Sequence, residues 1–273
     1  MSINRNNQFL ESVLNIIDST TERFRQGEQV EQKDRIPLTD TVPLESNTWW
    51  RLNDVVCVYI DMKNSTQLSA QKQDKFTASI YQYFTGTAVK VLNEFGASYI
   101  DVRGDGAFGL FNSNRGYHAL ASAITFKTIV GFVMADEVVL PENMEKLSCH
   151  IGMDRKTVLV KRIGIRVMEG KTDKSNEVWA GKPVNMAAKL ASIGGENDLI
   201  VSERVFDVFL KDNSESVLHT CGCPNDVKRK AWDTMNVQQD KNFDFSKAYR
   251  MTPVRWCEIH GKNFCQEILK LDE

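Results

Sequence analysis

The sequence of 273 residues lacks several features that would place it in a specialised class of protein. Its formal net charge is only −2, from 34 basic and 36 acidic residues, so no excess of positive charge favours nucleic-acid binding. Six cysteines are too few for a disulfide-stabilised scaffold of this length, so reduced thiols are the default. These absences argue against a nucleic-acid-binding protein and against a disulfide-rich secreted one.

Long uninterrupted apolar runs are also missing. No continuous run reaches the roughly 18 residues that a membrane-spanning helix needs, and the N-terminus lacks a basic start followed by an apolar core. Internal repeats and low-complexity tracts are not visible, and nothing near His118 or His150 forms a Ser/His/Asp set. We therefore expect a cytoplasmic protein of one large domain, or one domain plus a helical appendage, with no membrane partner.

Hydrophobic periodicity predicts an α+β sheet domain with helices packed on it, preceded by an N-terminal helix. We expect residues 1–48 to form that helix, ending near Phe24, and a polar connector with Pro37 and Pro43. The helix either packs on its own domain or helps two chains to dimerise. Residues 49–215 form the sheet domain, and residues 216–273 form a C-terminal extension packed on it.

Within the sheet domain, apolar runs and turn residues predict an order of strands and helices. The expected strands are at 55–60, within 97–103, and at 107–111, 149–153, 157–166, 177–180 and 199–201, and the expected helices are at 76–95, 116–134 and 184–192. Gly96 is expected to stop the first of these helices, and Ser202 to cap the helix that follows the last strand. The polar residues Asp154-Arg155-Lys156 are expected to separate the strands on either side of them.

Two of these strands end at an aspartate. Asp61 follows the apolar run that begins at Val55, and Asp105 lies between Gly104 and Gly106 in a predicted tight turn after the next strand. Two carboxylates at the ends of neighbouring strands could hold a pair of divalent ions. The pair therefore suggests phosphoryl chemistry.

Other polar side chains share the strand faces of these aspartates. Side chains two residues apart point to the same face of a strand, which places Tyr59 with Asp61 and Arg103 with Asp105. Burial of an unpaired guanidinium is costly, so we expect Arg103 either to pair with Asp101 or to contact a ligand.

The turn after Asp61 leads into a helix. Met62-Lys63-Asn64-Ser65-Thr66 places several backbone N–H groups at a helix start, where phosphate binds through unpaired donors and the helix dipole. The alternative is an ordinary Asn or Ser cap.

Three segments together resemble the signature blocks of class III nucleotidyl cyclases, in order and approximate spacing. They are Asp61-Met62-Lys63-Asn64-Ser65-Thr66, Arg103-Gly104-Asp105 and Gly181-Lys182-Pro183-Val184-Asn185-Met186-Ala187-Ala188-Lys189, and the resemblance covers roughly residues 52–210. It implies a ferredoxin-like sheet domain that pairs head to tail with a second copy, with active sites at the interface.

The resemblance also implies the parts of the site. Asp61, the Met62 carbonyl and Asp105 would hold two divalent cations, Mn²⁺ or Mg²⁺, on one chain. Asn185 and Lys189 would reach the substrate from the partner chain. Residues 63–66 would contact the nucleotide. One ion would lower the pKa of the ribose 3′-hydroxyl and the other would stabilise the leaving pyrophosphate. In-line attack at the α-phosphorus would then close a 3′,5′-cyclic nucleotide.

The departures from the family pattern bear on the substrate. Lys189 stands where the family usually has a transition-state arginine, and lysine keeps the charge but loses the bidentate fork. Asp101 and Val178 occupy the positions that read a purine base in adenylyl and guanylyl cyclases, and neither residue fits that role well. The chain thus lacks the residues with which these cyclases recognise adenine or guanine.

Tyr59 and Arg103 instead resemble the base-contacting residues of bacterial pyrimidine cyclases in Pycsar anti-phage systems. That resemblance implies that UTP becomes cyclic UMP, which activates a separately encoded effector, with CTP as the alternative substrate. A catalytically inactive nucleotide-binding regulatory domain is the rival from another class. The Gly-Gly-acid-acid-Phe segment of diguanylate cyclases is absent.

The C-terminal extension contains two short pairs of potential metal ligands. His219, Cys221 and Cys223 form one group, Cys257 and His260 form the other, and Cys265 is a further candidate. Two such pairs could make a structural zinc site. The alternative is that these are ordinary buried thiols, which are common in cytosolic proteins.

Overall fold

The computed structural model describes most of the chain. The described residues are 9–38, 41–44, 46–69, 74–138, 140, 146–165, 174–213, 215–223, 225, 227–251 and 256–273. The first eight residues, part of the predicted N-terminal region, and Arg166, predicted to end a strand, lie outside them.

The helices and strands of the described residues alternate along most of the chain. The helices are α1 (Glu11–Gln26), α2 (Ser65–Ser69), α3 (Asp74–Glu94), α4 (Gly116–Ile129), α5 (Ala135–Glu137), α6 (Lys182–Ser192), α7 (Glu203–Val205), α8 (Glu215–Leu218) and α9 (Gly261–Leu269). The strands are β1 (Gln29–Lys33), β2 (Thr48–Met62), β3 (Tyr99–Arg103), β4 (Gly106–Phe111), β5 (Cys149–Ile165), β6 (Lys174–Gly181), β7 (Asp198–Ser202), β8 (Trp232–Asn236) and β9 (Lys247–Met251).

All of these strands belong to one mixed sheet built around two long antiparallel strands. The order is β3-β4-β2-β5-β7-β9-β8, with β1 added parallel to β2 and β6 added antiparallel to β5. β2 has 15 residues and β5 has 17, and the two strands pair with each other along one edge. Along its other edge each pairs with two shorter strands in turn, β2 with β1 and then β4, and β5 with β7 and then β6. The predicted α+β sheet domain with helices packed on it is confirmed.

The main core lies between one face of the sheet and helices α3 and α4. Alternate β2 residues Val56, Val58, Ile60 and Met62 are buried in it, as the two-residue period of a strand requires. The opposite face of β2 carries Cys57 and Tyr59, which pack with a second apolar cluster that includes Ala187 of α6. Asp61 is the next residue on that second face.

Helix α4 is buried on nearly every side. The stretch Ser113–Glu137 is long and apolar enough to cross a membrane, which the search for uninterrupted apolar runs did not reveal. However, 56% of its most apolar window is buried inside the protein. Such burial is typical of a core helix.

The strand β5 corrects one prediction. The polar residues Asp154-Arg155-Lys156 do not separate two strands, because β5 runs through them without interruption. Tertiary partners compensate their polarity: Arg204 bonds the buried Asp154 carboxylate, and Arg155 lies 3.1 Å from Asp54 at an irregularity in β2. The prediction treated a partnered polar segment as a break between two strands.

Two predicted helix signals can be compared directly with the structure. Gly96 has φ of +79° and follows α3, and the Ser202 hydroxyl accepts a hydrogen bond from the Val205 N–H at 3.3 Å, so both predicted helix signals are confirmed. By contrast, the sequence analysis missed β1 inside the segment assigned as a connector. Its exposed, polar residues carry no apolar alternation that would have indicated a strand.

Candidate active site

Asp61 and Asp105 meet where β2 and β4 adjoin. Ile60 pairs with Ala107, which places Asp61 beside Gly106, the residue after Asp105. A Cβ at position 106 would lie 2.9 Å from the Asp61 Oδ1 atom and 2.7 Å from the Ile60 carbonyl oxygen. Glycine is therefore required there by the close approach of the Ile60 backbone and of the Asp61 carboxylate.

The turn that carries Asp105 also has the predicted tight form. Arg103 pairs with Gly106, so Gly104 and Asp105 form a two-residue hairpin loop. Gly104 has φ of +64°, a conformation that a residue with a side chain rarely adopts.

The charge of Asp105 acts on the Asp61 carboxylate. Partial burial and, second, the negative charge of Asp105 together raise the pKa of Asp61 to about 6. Such a pair is disfavoured in its fully ionised form unless a cation neutralises it. Carboxylate oxygens are the ligands that Mg²⁺ and Mn²⁺ prefer, so this pair fits a divalent cation. Met62 has its side chain in the core, which leaves its backbone as the part able to face such an ion.

Tyr59 begins a row of aromatic rings on the same face of the sheet. Its ring stacks on that of Phe108, with centroids 6.4 Å apart and planes 9° apart. The row continues from Phe108 to Tyr99 at 6.0 Å and from Tyr99 to Trp179 at 4.6 Å. Burial raises the pKa of Tyr59, and the charges of Asp61 and Asp105 both add to this shift.

Arg103 pairs with Asp101 within this chain. The Arg103 guanidinium lies 2.5 Å from the Asp101 carboxylate, so the pairing alternative considered for Arg103 is confirmed. Its side chain is 52% exposed, and its positive charge opposes the rise in the pKa of Tyr59. Arg103 thus lies at the open edge of the face that carries Tyr59.

The turn after Asp61 is tied to the sheet and opens the short helix α2. The Lys63 N–H donates to the Ser148 carbonyl at 3.0 Å, and the Leu68 N–H donates to the Asn64 carbonyl at 3.1 Å. Asn64 has φ of +61°, a conformation that asparagine tolerates better than most residues. Ser65 and Thr66 begin α2, with Ser65 half-buried and Thr66 exposed. The turn has a fixed backbone directly beside Asp61.

His150 lies beside Asp61 on the other side of β2. The two residues pair across β2 and β5, and burial lowers the pKa of His150, with the Lys63 ammonium adding to the effect. A neutral imidazole adds no positive charge beside the carboxylates.

Helix α6 carries the last two predicted site residues. It packs so closely on β5 that a Cβ at Gly152 would lie 1.9 Å from the Ala187 carbonyl oxygen. Asn185 is exposed on the outer side of α6, and Lys189, one turn later, donates from Nζ to the Asn242 carbonyl at 2.9 Å. Within one chain, Lys189 therefore contacts the loop before β9 and not the turn after Asp61.

Comparison of the sequence with known proteins identifies relatives of this chain. The chain is 35% identical to a uridylate cyclase of Propioniciclava tarda over 244 residues, covering 88% of this chain and 77% of that protein. It is 29% identical to a uridylate cyclase of Micromonospora echinofusca over 255 residues, covering 93% and 81%. The chain belongs to the uridylate cyclase family. No protein-family model matches it.

Solved structures support the fold of this cyclase. An adenylyl cyclase from P. aeruginosa superimposes with a TM-score of 0.56 at 14% identity, covering 76% of this chain and 97% of that one. The guanylate cyclase domain from Catenaria anguillulae superimposes with a TM-score of 0.52 at 12% identity, covering 74% and 97%. The fold is that of class III nucleotidyl cyclases, and the enzyme is a nucleotidyl cyclase.

An ion-pair network that runs from the buried Asp154 to the surface, which the sequence analysis did not predict, holds α6 of this cyclase in place. Arg204 donates to both oxygens of the fully buried Asp154, at 3.1 and 2.7 Å, and to Asp244 at 2.9 Å. Lys182, the first residue of α6, donates to the other oxygen of Asp244 at 2.6 Å. The network thus links the sheet, the start of α6 and the loop that holds Lys189.

Sequence reasoning also missed the close contact of Gly106 and the aromatic row beyond Tyr59. The two-residue period that placed Tyr59 with Asp61 also places Phe108 on a face, but the period alone cannot show which strands adjoin. The pairing of β4 with both β2 and β3 supplies that information.

Proposed function

We propose that this protein converts UTP to 3′,5′-cyclic UMP and pyrophosphate. The observation that carries the proposal is the position of Tyr59 and Asp61 on one face of β2, next to the hairpin loop that carries Asp105. The names of the relatives point to the same base. A base site beside a carboxylate pair is what a nucleotidyl cyclase needs to place the ribose and the α-phosphate near its metal ligands.

The Asp61 and Asp105 carboxylates and the Met62 carbonyl would hold two divalent cations, Mn²⁺ or Mg²⁺. When bound, such ions acidify the ribose 3′-hydroxyl and neutralise charge on the triphosphate and the leaving pyrophosphate. Gly106 serves this site by leaving room for the Asp61 carboxylate.

The turn at residues 63–66 would bind the triphosphate through Lys63, Asn64, Ser65 and Thr66. Its backbone is fixed by the hydrogen bond to Ser148, so the phosphate contacts require little reorganisation. Nucleophile and electrophile belong to the same nucleotide. Fixing the ribose at the base site and the phosphates at the turn therefore aligns the 3′-hydroxyl with the α-phosphorus, and this proximity supplies much of the rate.

Tyr59 and Arg103 would select a pyrimidine. The Tyr59 ring, supported from behind by Phe108, fills space that the second ring of a purine would need. Arg103 lies at the open edge of this face and would exchange its bond to Asp101 for a base carbonyl. Uracil offers two carbonyl acceptors and cytosine one, so this donor favours UTP, and cytidylate cyclase activity is the alternative.

The active sites would form between two copies of the chain paired head to tail. Asn185 and Lys189 lie on the outer side of α6, one turn apart, where they can reach a substrate bound to the partner chain. Lys189 would then leave the Asn242 carbonyl and offer its charge to the phosphates in the transition state.

The product would act as a second messenger in the cytoplasm of a bacterium defending itself against phage. A separately encoded effector that recognises cyclic UMP would respond to it. This role needs neither a membrane nor a nucleic acid as a partner, which accords with the near-neutral charge of −2.

The proposal can be tested by incubating the protein with each of the four nucleoside triphosphates in the presence of Mn²⁺ and identifying the products by mass. We expect cyclic UMP from UTP, with little product from ATP or GTP, and no product from Asp61→Ala or Asp105→Ala. Turnover of ATP or GTP with UTP untouched would overturn it. Cyclic CMP as the main product would support the cytidylate alternative.

One observation favours a second candidate, a regulatory domain that binds nucleotide without turnover. Lys189 replaces the usual arginine and is bonded within its own chain. Saturable UTP binding without release of pyrophosphate, under all metal conditions that support folding, would favour this candidate.

A further inference from the structure

The C-terminal extension, residues 216–273, returns to cover helix α4. The Asp272 carboxylate accepts hydrogen bonds from the backbone N–H groups of Tyr117 and His118, at 3.2 and 2.7 Å, at the start of α4. Farther along the helix, the Trp256 indole N–H donates to the Thr125 hydroxyl at 2.8 Å. These contacts explain how a helix with so little polar surface is shielded from water.

Four side chains of this extension converge on one point. The ligand atoms of Cys221, Cys223, Cys257 and His260 all lie within 4.8 Å of one another. The Cys223 Sγ atom lies 3.1 Å from His260 Nδ1, and the Cys257 Sγ atom lies 4.0 Å from the same nitrogen. Two chain segments contribute, one with the spacing Cys-x-Cys and the other with Cys-x-x-His.

We propose that these four side chains bind one zinc ion. A tetrahedral zinc ion with Zn–S bonds of about 2.3 Å separates neighbouring ligand atoms by roughly 3.5–4 Å. The separations in the cluster, from 3.1 Å to at most 4.8 Å, lie around that range, so small shifts of the side chains would complete the site. Three thiolates and one imidazole complete the four-coordinate shell of a structural zinc ion. An iron–sulfur cluster fits less well, because its several iron and sulfide atoms hold the cysteine sulfurs farther apart.

The turn at Cys257 is already arranged to favour a thiolate. The Ile259 N–H donates to the Cys257 sulfur at 3.4 Å. Zinc binding would release the thiol protons of the three cysteines to solvent.

The two other candidate ligands from the sequence lie outside the cluster. His219 forms an isolated bridge with Lys230, and Cys265 lies on α9 near the Thr125 hydroxyl. Cys265 is therefore a matched control, being a half-buried thiol of the same extension that the zinc ion would not contact.

The ion would join the segment that follows α8 to the turn that precedes α9. The first segment includes Thr220, whose N–H donates to the Arg229 carbonyl, and the second leads directly from Trp256 into α9. Fixing these segments together would hold α9 and Trp256 against α4. Zinc here stabilises the fold and takes no part in the transfer of phosphate.

Metal analysis of the full-length chain tests the proposal independently of nucleotide turnover. We expect about one zinc per chain after purification without chelator. Replacement of zinc by Co²⁺ should give the visible bands of a tetrahedral thiolate site. The proposal would be overturned if the chain, purified in the presence of zinc, held less than about a tenth of an equivalent of zinc and if Cys221, Cys223 and Cys257 reacted as accessible thiols. A disulfide between any two of these cysteines in the purified chain would overturn it as well.

Variants identify the ligands. Cys223→Ser and His260→Ala should lose zinc and lower the Tm, whereas Cys265→Ser should keep about one equivalent. If the first two variants fail to fold, His260→Cys provides the second test, because a fourth thiolate should retain zinc and change the Co²⁺ spectrum. Retention of zinc by both Cys223→Ser and His260→Ala, or its loss only in Cys265→Ser, would contradict the assignment.

Discussion

Gly106 lies so close to Asp61 that any side chain at position 106 would collide with it. A Cβ there would fall 2.9 Å from the Asp61 Oδ1 atom and 3.6 Å from its Cα atom. Carboxylate position matters in a metal site because the ion requires its ligands at fixed distances. Gly106, which has no catalytic group of its own, thus limits the positions that the Asp61 carboxylate can adopt.

The substitution Gly106→Ala should therefore damage catalysis, and Tm should be measured beside kcat because the new methyl group would also lie 2.7 Å from the Ile60 carbonyl oxygen. We expect kcat to fall about tenfold or more, with a larger requirement for Mn²⁺, because the Asp61 carboxylate must move. Gly86→Ala is the matched control, since its new methyl group would meet only the flexible end of Gln82 within α3. Equal activity of Gly106→Ala and wild type would show that this contact does not position Asp61.

Metal binding should weaken in acid because of the raised pKa of Asp61, about 6 against an ordinary value of 3.8. A proton competes with the cation for this carboxylate, so the apparent affinity for Mn²⁺ should fall as the pH drops through 6. In the metal-free protein the sign is opposite. A carboxyl whose pKa is raised by folding stabilises the folded state when protonated, and this contribution is lost as the pH rises through 6.

Thermal unfolding with and without Mn²⁺ measures both effects. We expect the gain in Tm from Mn²⁺ to be larger at about pH 7.5 than at about pH 5, and Asp61→Asn to remove this difference. Asp105→Asn should lower the pKa of Asp61 by removing a neighbouring negative charge. A gain in Tm that is the same at both pH values would contradict the account.

The sequence predicted the centre of the candidate site better than its surroundings. Asp61 and Asp105 each follow a strand that ends in a turn, and the two-residue period placed Tyr59 and Arg103 on their faces. Those features are local, and the pairing of β4 with both β2 and β3 places the strands that carry these residues side by side. Their roles in catalysis stay predictions.

Features that depend on partners distant in the sequence could not be predicted from the sequence. Asp154 was expected to lie between two strands because the residue that neutralises it, Arg204, lies 50 positions later in the chain. The strands β8 and β9 extend the sheet beyond β7, but their short, partly polar runs have little alternation. Burial of a charged side chain and the pairing of short strands are decided by tertiary structure.

Tyr59 should determine the size of the base that enters. Tyr59→Ala removes the ring that stacks on Phe108, and we expect the ratio of GTP or ATP turnover to UTP turnover to rise by about tenfold or more. Tyr59→Phe is the control, since it keeps the ring and loses only the hydroxyl, and should stay selective for pyrimidines. An unchanged preference in Tyr59→Ala would move base selection elsewhere.

The two-chain site can be tested by mixing inactive variants. Asp61→Asn removes a metal ligand, and Asn185→Ala removes a contact offered to the partner. In a mixed dimer one of the two sites is intact, so random pairing should restore about a quarter of wild-type activity. No recovery on mixing, with mixed dimers shown to be present, would contradict a shared site.

Lys189 should act through its charge. Lys189→Ala is expected to lower kcat by about tenfold or more, while Lys189→Arg should be at least as active as wild type, because arginine restores the bidentate fork. Both substitutions also alter the bond to the Asn242 carbonyl, so Tm should be measured beside kcat. A loss of Tm that accounts for the whole loss of activity would assign Lys189 a structural role only.

Competition among all four nucleoside triphosphates in one reaction is the most direct measurement of the central claim. With equal concentrations, Mn²⁺ and early time points, the ratio of cyclic products equals the ratio of kcat/KM values. We predict that cyclic UMP exceeds each purine product by about a hundredfold, and that Asp61→Asn abolishes every product. A majority of cyclic AMP or cyclic GMP would contradict the account.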